Sequence, residues 1–287
     1  MQKLKLKTSA RLDPLIFVLL LFAVGFLPAV RAAENFAISW TNNILKVTGN
    51  DLPGGTLEIL YLEAFCRSNS THRNWNETKI SHRTTLLESS PSQLRFRTTV
   101  SNQVQVSHEV IARGRDLEFT YRFENVSDQP IDLEWFQPAC IRVAAFTGAD
   151  QQGYTARSFI FATNGLRTLD KTARTLEAIY RGGQVYVPER IAWDNVNPRP
   201  PSSTRPVNGL IGCFSADHKW LLATASDDTH ELFEGVYVCL HSDPHVGGLR
   251  PGEKKSFRAK LYVLPNDVEK LLQAYYRDFP RTDEPRF

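Results

Sequence analysis

The feature that most constrains this chain is a succession of short segments in which apolar and polar residues alternate. In the segment LEFTYRF (Leu117–Phe123), Leu, Phe, Tyr and Phe alternate with Glu, Thr and Arg. Successive side chains of a β-strand point to opposite faces, so the pattern predicts a strand with one buried face. The clearest strand-like segments are rich in Val, Ile, Phe, Tyr and Thr, and many of them alternate in this way. They are Thr56–Phe65, Gln93–Val100, Val104–Ala112, Asp116–Asn125, Ile131–Val143, Leu210–Ser215, Trp220–Ala225, Leu232–Leu240 and Ser256–Leu264.

Many short strands separated by turn residues indicate an all-β sandwich or barrel. Alternating strand and helix units are absent from the sequence pattern, which disfavours the α/β folds. One helix is predicted after Pro265, with Asn266 as its cap, because an apolar stripe follows at helical spacing. A second helix is predicted between Thr168 and Tyr180, and the proline-rich segment 182–208 is predicted as an extended surface loop. The stripe of the C-terminal helix consists of Val268, Leu271, Leu272 and Tyr275.

The amino-terminal segment has the layout of a secretory signal peptide. Residues 1–14 are basic, residues 15–30 are apolar, and Val30-Arg31-Ala32 resembles a cleavage site. The alternative is a retained membrane anchor, but the apolar run has 16 residues and contains Pro28, whereas a spanning helix needs about 20. We therefore expect residues 1–32 to be a signal peptide and residues 33–287 to be one secreted or periplasmic domain without a stable membrane span.

The net charge argues against a nucleic-acid partner. The chain carries 34 basic and 31 acidic residues, a balance of +3. The first 32 residues contribute 5 − 1 = +4, so the remainder holds 29 basic and 30 acidic residues, or −1. A nearly neutral domain has no general attraction for phosphate backbones. The sequence does not specify an oligomeric state.

Export would place all the cysteines in an oxidising compartment. Four cysteines allow three disulfide pairings, which the sequence does not distinguish. Each also lies in or beside an apolar segment, where a free cysteine packs as a small apolar side chain. Both alternatives stay open for Cys66, Cys140, Cys213 and Cys239.

The densest group of reactive side chains is His241-Ser242-Asp243-Pro244-His245. If the strand continues to Asp243, alternation places Cys239, His241 and Asp243 on one face, and His245 can approach after Pro244. Two imidazoles and a carboxylate can act as acid and base, or hold a metal such as zinc. The spacing matches no established metal motif, so metal and cofactor are left unassigned. The alternative is structural, with His241 bonded to a loop, Asp243 capping a turn and His245 solvated.

A second group of candidate ligand-binding residues comprises Trp135, Gln137 and Arg142. Across a kink at Pro138 these side chains can line one face of a strand, where an aromatic ring, an amide and a guanidinium suit a sugar or a uronate. A buried tryptophan beside a salt-bridged arginine is the alternative. Trp193, in the proline-rich loop, and His82 are further candidates, whereas His108 alternates with valines as a core histidine does.

Two motifs, WFQPACIRVAAFTG at 135–148 and GVYVCLHSDPHVGGLRPGE at 235–253, resemble the antiparallel β-supersandwich of galactose mutarotase-like proteins. The resemblance is to a secreted bacterial branch, related in fold to the sandwich domains of polysaccharide lyases. It implies a carbohydrate ligand on the concave face of a large sheet. The histidine-containing strand motif of the mutarotases has no counterpart here, so no catalytic residue is carried over.

We therefore expect an exported carbohydrate-binding protein, accessory to polysaccharide breakdown. The alternatives are a sugar-active enzyme, epimerase-like or lyase-like, with His241 as acid/base, and a non-catalytic interaction scaffold. The sequence leaves open whether the protein is an enzyme. Convergence of Gln137, Arg142, His241 and Asp243 within about 10 Å on one concave surface would favour a shared reacting centre.

Overall fold

The computed structural model describes residues 36–68, 75–181, 183–192 and 201–280. These residues belong to one compact unit, Ala33–Phe287. Over the described ranges, every ladder between named strands is antiparallel, and the strands form two sheets. The predicted all-β antiparallel sandwich with a C-terminal helix is confirmed. The predicted signal peptide and Trp193 lie outside the described residues.

The first sheet has eight strands within the described residues. Their order is β1-β2-β3-β9-β16-β15-β12, and β4 pairs with β3 at the side of this path. The central strands β3, β9 and β16 are therefore neighbours although they are far apart in sequence. The strands are β1 (Ala37–Thr41), β2 (Ile44–Thr48), β3 (Thr56–Cys66), β4 (Lys79–Ile80), β9 (Trp135–Arg142), β12 (Gln184–Tyr186), β15 (Thr229–Gly235) and β16 (Cys239–Pro244).

The second sheet has nine strands in the described part of the chain. Their order is β11-β10-β13-β14-β17-β8-β7-β6-β5, so that the long meander from β5 to β8 forms one half of the sheet. The strands are β5 (His82–Ser90), β6 (Gln93–Val100), β7 (Val104–Arg113), β8 (Asp116–Asn125), β10 (Ser158–Ala162), β11 (Gly165–Thr168), β13 (Ile211–Phe214), β14 (Trp220–Ser226) and β17 (Lys254–Pro265).

The main core lies between the two sheets. The predicted alternation in β8 is confirmed, because its apolar side chains are buried and its polar side chains are more exposed. From the first sheet, Phe136 stacks on Phe65 with ring centroids 5.8 Å apart. From the second sheet, Phe123 and Phe257 meet Phe136 edge-on at 5.0 Å and 5.8 Å. His108 is also buried here, bonded to the hydroxyl groups of Tyr61 and Thr98, as a core histidine is.

The C-terminal helix covers the opposite side of the nine-stranded sheet. Leu271, Leu272 and Tyr275 pack into a second apolar cluster that contains Phe159 and Leu221. Its cap differs from the expectation, because the side chain of Asp267, not Asn266, accepts the backbone N–H of Lys270. The helices are α1 (Trp75–Thr78), α2 (Ala144–Thr147), α3 (Leu176–Arg181) and α4 (Val268–Asp278).

Three boundaries differ from the sequence prediction. The predicted strand Leu232–Leu240 is two strands, β15 and β16, because a turn containing Val238 at φ 53° separates them. Between Thr168 and Tyr180 the α-helix begins only at Leu176. Within the proline-rich segment, Gln184–Tyr186 form the buried strand β12, which pairs with β15, so these three residues are not part of a surface loop. Among the described residues, no helix combines the length and apolar character of a bilayer-spanning segment.

Candidate functional site

The candidate site lies on the face of the eight-stranded sheet that points away from the main core, here called the outer face. On β9, Phe136 and Ile141 belong to the main core, whereas Gln137, Cys140 and Arg142 point to the outer face. The strand is irregular at Pro138, beside a register shift in β3. Gln137 and Arg142 therefore share one face, as the sequence analysis predicted.

Strand β16 brings its reactive side chains to the same face. Cys239 is the register partner of Arg142, and Leu240, which points into the main core, is the partner of Ile141. Alternation along β16 then places Cys239, His241 and Asp243 together on the outer face. The structure thus places four of the predicted site residues on the outer face of two neighbouring strands. Asp243 contacts both Gln137 and His241, whereas Arg142 lies at the other end of β9, opposite Cys239.

The imidazole of His241 is the centre of this group. Its Nε2 lies 3.4 Å from Cys239 Sγ and 3.8 Å from Glu63 Oε2. Its Nδ1 lies 3.7 Å from Asp243 Oδ1, which is beyond hydrogen-bond distance, so this contact is electrostatic. We call the following set the His241 group: Glu63, Gln137, Cys140, Cys239, His241 and Asp243.

Sulfur and amide groups complete the His241 group. Cys140 on β9 lies beside Cys239, and the donor atoms of Cys140, Cys239 and His241 all lie within 4.8 Å of one another. Gln137 Nε2 donates to Asp243 Oδ2 at 3.0 Å, which fixes the carboxylate that faces His241. Two soft sulfur atoms, an imidazole and carboxylates therefore converge on one point of the outer face.

The His241 group is mostly buried. His241 is 1% exposed and Asp243 is fully buried, while the side chain of Glu63 is 25% exposed. Glu63 is therefore the group's contact with solvent. Within the described residues, Glu63 Oε2, His241 Nδ1 and Asp243 Oδ1 make no hydrogen bond. Such atoms are rare in folded proteins and each carries a desolvation cost of about 1–3 kcal/mol.

Burial and neighbouring charges shift the pKa values of the side chains in the His241 group. Burial raises the pKa of Glu63, and the nearby His241 opposes this only in part. Burial by itself lowers the pKa of His241, but Cys239 and Asp243 outweigh it, so that this pKa is raised well above its usual value. A hydrogen bond with Cys140 lowers the pKa of Cys239 well below its usual value and, with burial, raises that of Cys140.

Glu63 is a site residue that the sequence analysis missed. It lies at a register shift of β3 between Tyr61 and Ala64, next to Leu62 at φ 54°. Bulges of this kind change the direction of a side chain and are frequent beside active sites. The available signal in the sequence was the loss of alternation in LYLEAF, since Leu62 and Glu63 interrupt the apolar–polar pattern.

Trp135 and Arg142 lie at the two ends of β9. Trp135 is buried and packs with Ala64 and Cys66 in a small cluster. The side chain of Arg142 is 39% exposed and forms an ion pair with Glu58 at 3.3 Å. Arg142 is therefore the predicted ligand-binding residue with the most accessible charge.

His245 and His82 lie in other surroundings. His245 Nε2 is 2.5 Å from Glu134 Oε1, and its ring stacks on His230 with centroids 4.7 Å apart. His82 begins β5 in the other sheet, where its Nε2 is 3.1 Å from the carbonyl of Leu62. Burial lowers the pKa of His82. Of the three predicted catalytic residues, His241 and Asp243 form one group, whereas His245 belongs to another.

All four cysteines are buried free thiols. Of the two alternatives from the sequence, the structure therefore contains free cysteines packed among apolar side chains and not disulfide bonds. Burial raises the pKa of Cys66 and Cys213. Only Cys140 and Cys239, among the four, belong to the His241 group. They differ from the other two in having each other and an imidazole as neighbours.

No family model and no curated protein match this chain. Solved structures do. A galactose mutarotase-like protein from Lactobacillus casei is 9% identical, covering 80% of this chain and 100% of its own, with a TM-score of 0.42. One from Clostridium acetobutylicum is 10% identical, covering 79% and 94%, with a TM-score of 0.44. An α-galactosidase from Geobacillus stearothermophilus is 10% identical, covering 89% and 42%, with a TM-score of 0.44. The likeness concerns the fold alone.

Proposed function

We propose that this protein binds a carbohydrate on the outer face of the eight-stranded sheet, beside the His241 group. One observation carries the proposal: Gln137, Arg142, His241 and Asp243, from two neighbouring strands, share this face. A centre of this composition is costly for folding alone, because it buries charged groups and leaves polar atoms without hydrogen bonds.

The accessible part of the site suits a ligand with many hydroxyl groups. Glu63 offers a carboxylate acceptor at the solvent boundary, and the exposed end of the Arg142 guanidinium offers N–H donors. The ion pair of Arg142 with Glu58 is exposed on both sides, and exposed pairs are worth about 0–1 kcal/mol. A uronate carboxylate can therefore displace Glu58 at little cost and form a bidentate contact with Arg142.

The biological setting is a further part of the proposal. The amino-terminal pattern of residues 1–32 supports export, and the resemblance of the two sequence motifs supports a sugar or polysaccharide as ligand. On this basis the protein acts outside the cytoplasm as an accessory to polysaccharide breakdown.

A sugar-active enzyme, epimerase-like or lyase-like, is a second candidate. The observation that favours it is the pair of Glu63 and His241, whose Oε2 and Nε2 atoms lie 3.8 Å apart. Burial raises the pKa of Glu63, the direction in which a carboxyl group becomes a better proton acceptor. In this reading Glu63 and His241 act as an acid/base couple on a sugar hydroxyl, and Asp243 orients the imidazole.

Glycan-array binding followed by calorimetric titration tests the proposal. The probes are D-glucose, D-galactose, D-galacturonate and their oligosaccharides, with and without EDTA. We expect binding of at least one probe, and a loss of affinity for the acidic probes of at least tenfold in Arg142→Ala. The matched control is Arg122→Ala, an exposed arginine of the other sheet. Absence of binding to every probe, or full binding by Arg142→Ala, would contradict the proposal.

A further inference from the structure

The Cys140–Cys239–His241 cluster has the geometry of a metal centre. Strands β9 and β16 are antiparallel neighbours with Cys239 opposite Arg142, and one residue beyond Leu240–Ile141 this register brings His241 opposite Cys140. All three residues are buried, and their donor atoms lie within 4.8 Å of one another. The two strands therefore hold three donors in a fixed arrangement before any ligand binds.

The donor distances from His241 Nε2 are compatible with a tetrahedral ion. Zinc lies about 2.3 Å from a thiolate and about 2.0–2.1 Å from an imidazole, so that tetrahedral sulfur and nitrogen donors are about 3.6 Å apart. His241 Nε2 and Cys239 Sγ are 3.4 Å apart. Glu63 Oε2 lies 3.8 Å from the same Nε2, in reach of the fourth position. Thiolate and imidazole together favour zinc over magnesium or calcium, which prefer oxygen donors.

The surroundings of His241 fit the same assignment. Metal-bound histidines almost always have a carboxylate or carbonyl at the other ring nitrogen. Here Asp243 faces Nδ1, and Gln137 holds Asp243 by a hydrogen bond of 3.0 Å. Within the described residues, His241 Nδ1 and the Asp243 Oδ1 that faces it are buried without a hydrogen bond, as is Glu63 Oε2. An ion at Nε2 would leave the proton on Nδ1, pointing at Asp243.

We propose that Cys140, Cys239 and His241 bind a zinc-class divalent cation, with Glu63 as an exchangeable fourth ligand. Catalytic zinc sites combine three protein ligands with one open position, and Glu63 alone of these four side chains reaches solvent. A sugar hydroxyl replacing Glu63 would be polarised by the ion. His241 would then be a metal ligand and not a proton donor. Metal binding therefore distinguishes polarisation of a sugar hydroxyl by the ion from acid/base catalysis by Glu63 and His241. This inference does not depend on carbohydrate binding.

Cobalt titration of the full-length protein tests this site. The protein is purified under reducing conditions, stripped with a chelator, and titrated with Co²⁺ and then Zn²⁺. We expect one Co²⁺ per chain, with a thiolate-to-cobalt charge-transfer band and the visible bands of tetrahedral cobalt, all displaced by Zn²⁺. The band is lost in Cys140→Ser and Cys239→Ser. It is retained in Cys213→Ser, a buried cysteine elsewhere.

A further variant, at Asp243, distinguishes a residue that only orients His241 from the residues that bind the ion. Asp243→Asn should keep the cobalt spectrum but weaken affinity by about 10–100-fold, the usual effect of losing such a carboxylate. Thiol titration of the wild type should show two thiols that Zn²⁺ protects from alkylation, a measurement that needs no variant. The proposal is overturned by absence of the band, by its persistence in both Cys140→Ser and Cys239→Ser, or by a Cys140–Cys239 disulfide in the protein as isolated. Metal binding without sugar binding would refute only the proposed function.

Discussion

His241 Nε2 lies 3.4 Å from Cys239 Sγ, on the face of the sheet that contributes nothing to the main core. Strand alternation accounts for the shared face of the two residues, and the neighbouring strand β9 adds Cys140 and Gln137. Buried polar atoms are usually hydrogen-bonded, whereas Glu63 Oε2, His241 Nδ1 and Asp243 Oδ1 are not within the described structure. This concentration of three such atoms in one group supports the proposal that the His241 group is a binding centre.

The first prediction concerns Glu63→Gln, which removes the group's accessible carboxylate without changing its shape. Because burial raises the pKa of Glu63, its ionised form is disfavoured in the folded protein. We expect the free energy of unfolding to stay within about 0.5 kcal/mol of the wild type or to rise, and affinity for the best-binding glycan to fall at least tenfold. Chemical denaturation and calorimetry measure the two quantities. Glu124→Gln, at an exposed ion pair of the other sheet, should change neither.

A second prediction concerns the buried ion pair between Arg174 and Glu234. The Glu234 side chain is 1% exposed, and Arg174 donates to both of its oxygens. Arg174→Ala should lower the free energy of unfolding by about 3–5 kcal/mol, because it leaves a buried carboxylate without its counter-ion, bonded within the described residues only to the Tyr154 hydroxyl. The double variant Arg174→Met/Glu234→Leu should recover most of this loss, which denaturant unfolding will show. Loss of less than about 1 kcal/mol in Arg174→Ala, the value typical of an exposed pair, would refute the argument.

A third prediction concerns pH and His108. Burial lowers the pKa of His108 to about 3, whereas an unfolded histidine titrates near 6.5. Between these two pH values the unfolded chain binds one more proton than the folded protein. The contribution of His108 to the free energy of unfolding is therefore fully present above about pH 6.5 and is lost as the pH falls toward about 3. This one proton changes the free energy of unfolding by at most about 1.4 kcal/mol per pH unit. His108→Gln should reduce the slope of unfolding free energy against pH between 6.5 and 4.5 by up to this amount, and an unchanged slope would contradict the assignment.

A fourth prediction separates the two possible caps of the C-terminal helix. Asp267 accepts the N–H of Lys270, whereas Asn266 donates to the carbonyl of His218. Asp267→Ala should therefore cost about 1 kcal/mol of stability, and Asp267→Ser should restore most of it. Asn266→Ala should cost less. Thermal unfolding of the three variants gives the ranking, and the reverse order would favour Asn266 as the cap.

Alternation alone predicted much of the sandwich and part of the site. It predicted the bounds of β6 and β8 and the common face of His241 and Asp243. The common face of Gln137 and Arg142, which are five residues apart, followed only once a kink at Pro138 was added to the alternation. The turn between β15 and β16 was missed because Val238, a β-branched residue, adopts a positive φ that alternation does not reveal.

The rest of the site depends on pairing between distant strands. Glu63 and Cys140 join His241 only because β3, β9 and β16 are neighbours, and this order is a long-range property of the fold. The bulge at Leu62 also displaces Glu63 from the regular pattern of β3. His245 was placed with His241 on proximity in sequence, but its pairing with Glu134 and its stacking on His230 place it in a different group.

The most direct test of the central claim is a crystal structure of the protein with its tightest-binding glycan from the array. The account predicts density for the glycan on the outer face of the eight-stranded sheet, with a hydroxyl group within hydrogen-bond distance of Glu63. A glycan bound to the nine-stranded sheet, or away from Glu63 and Arg142, would contradict it.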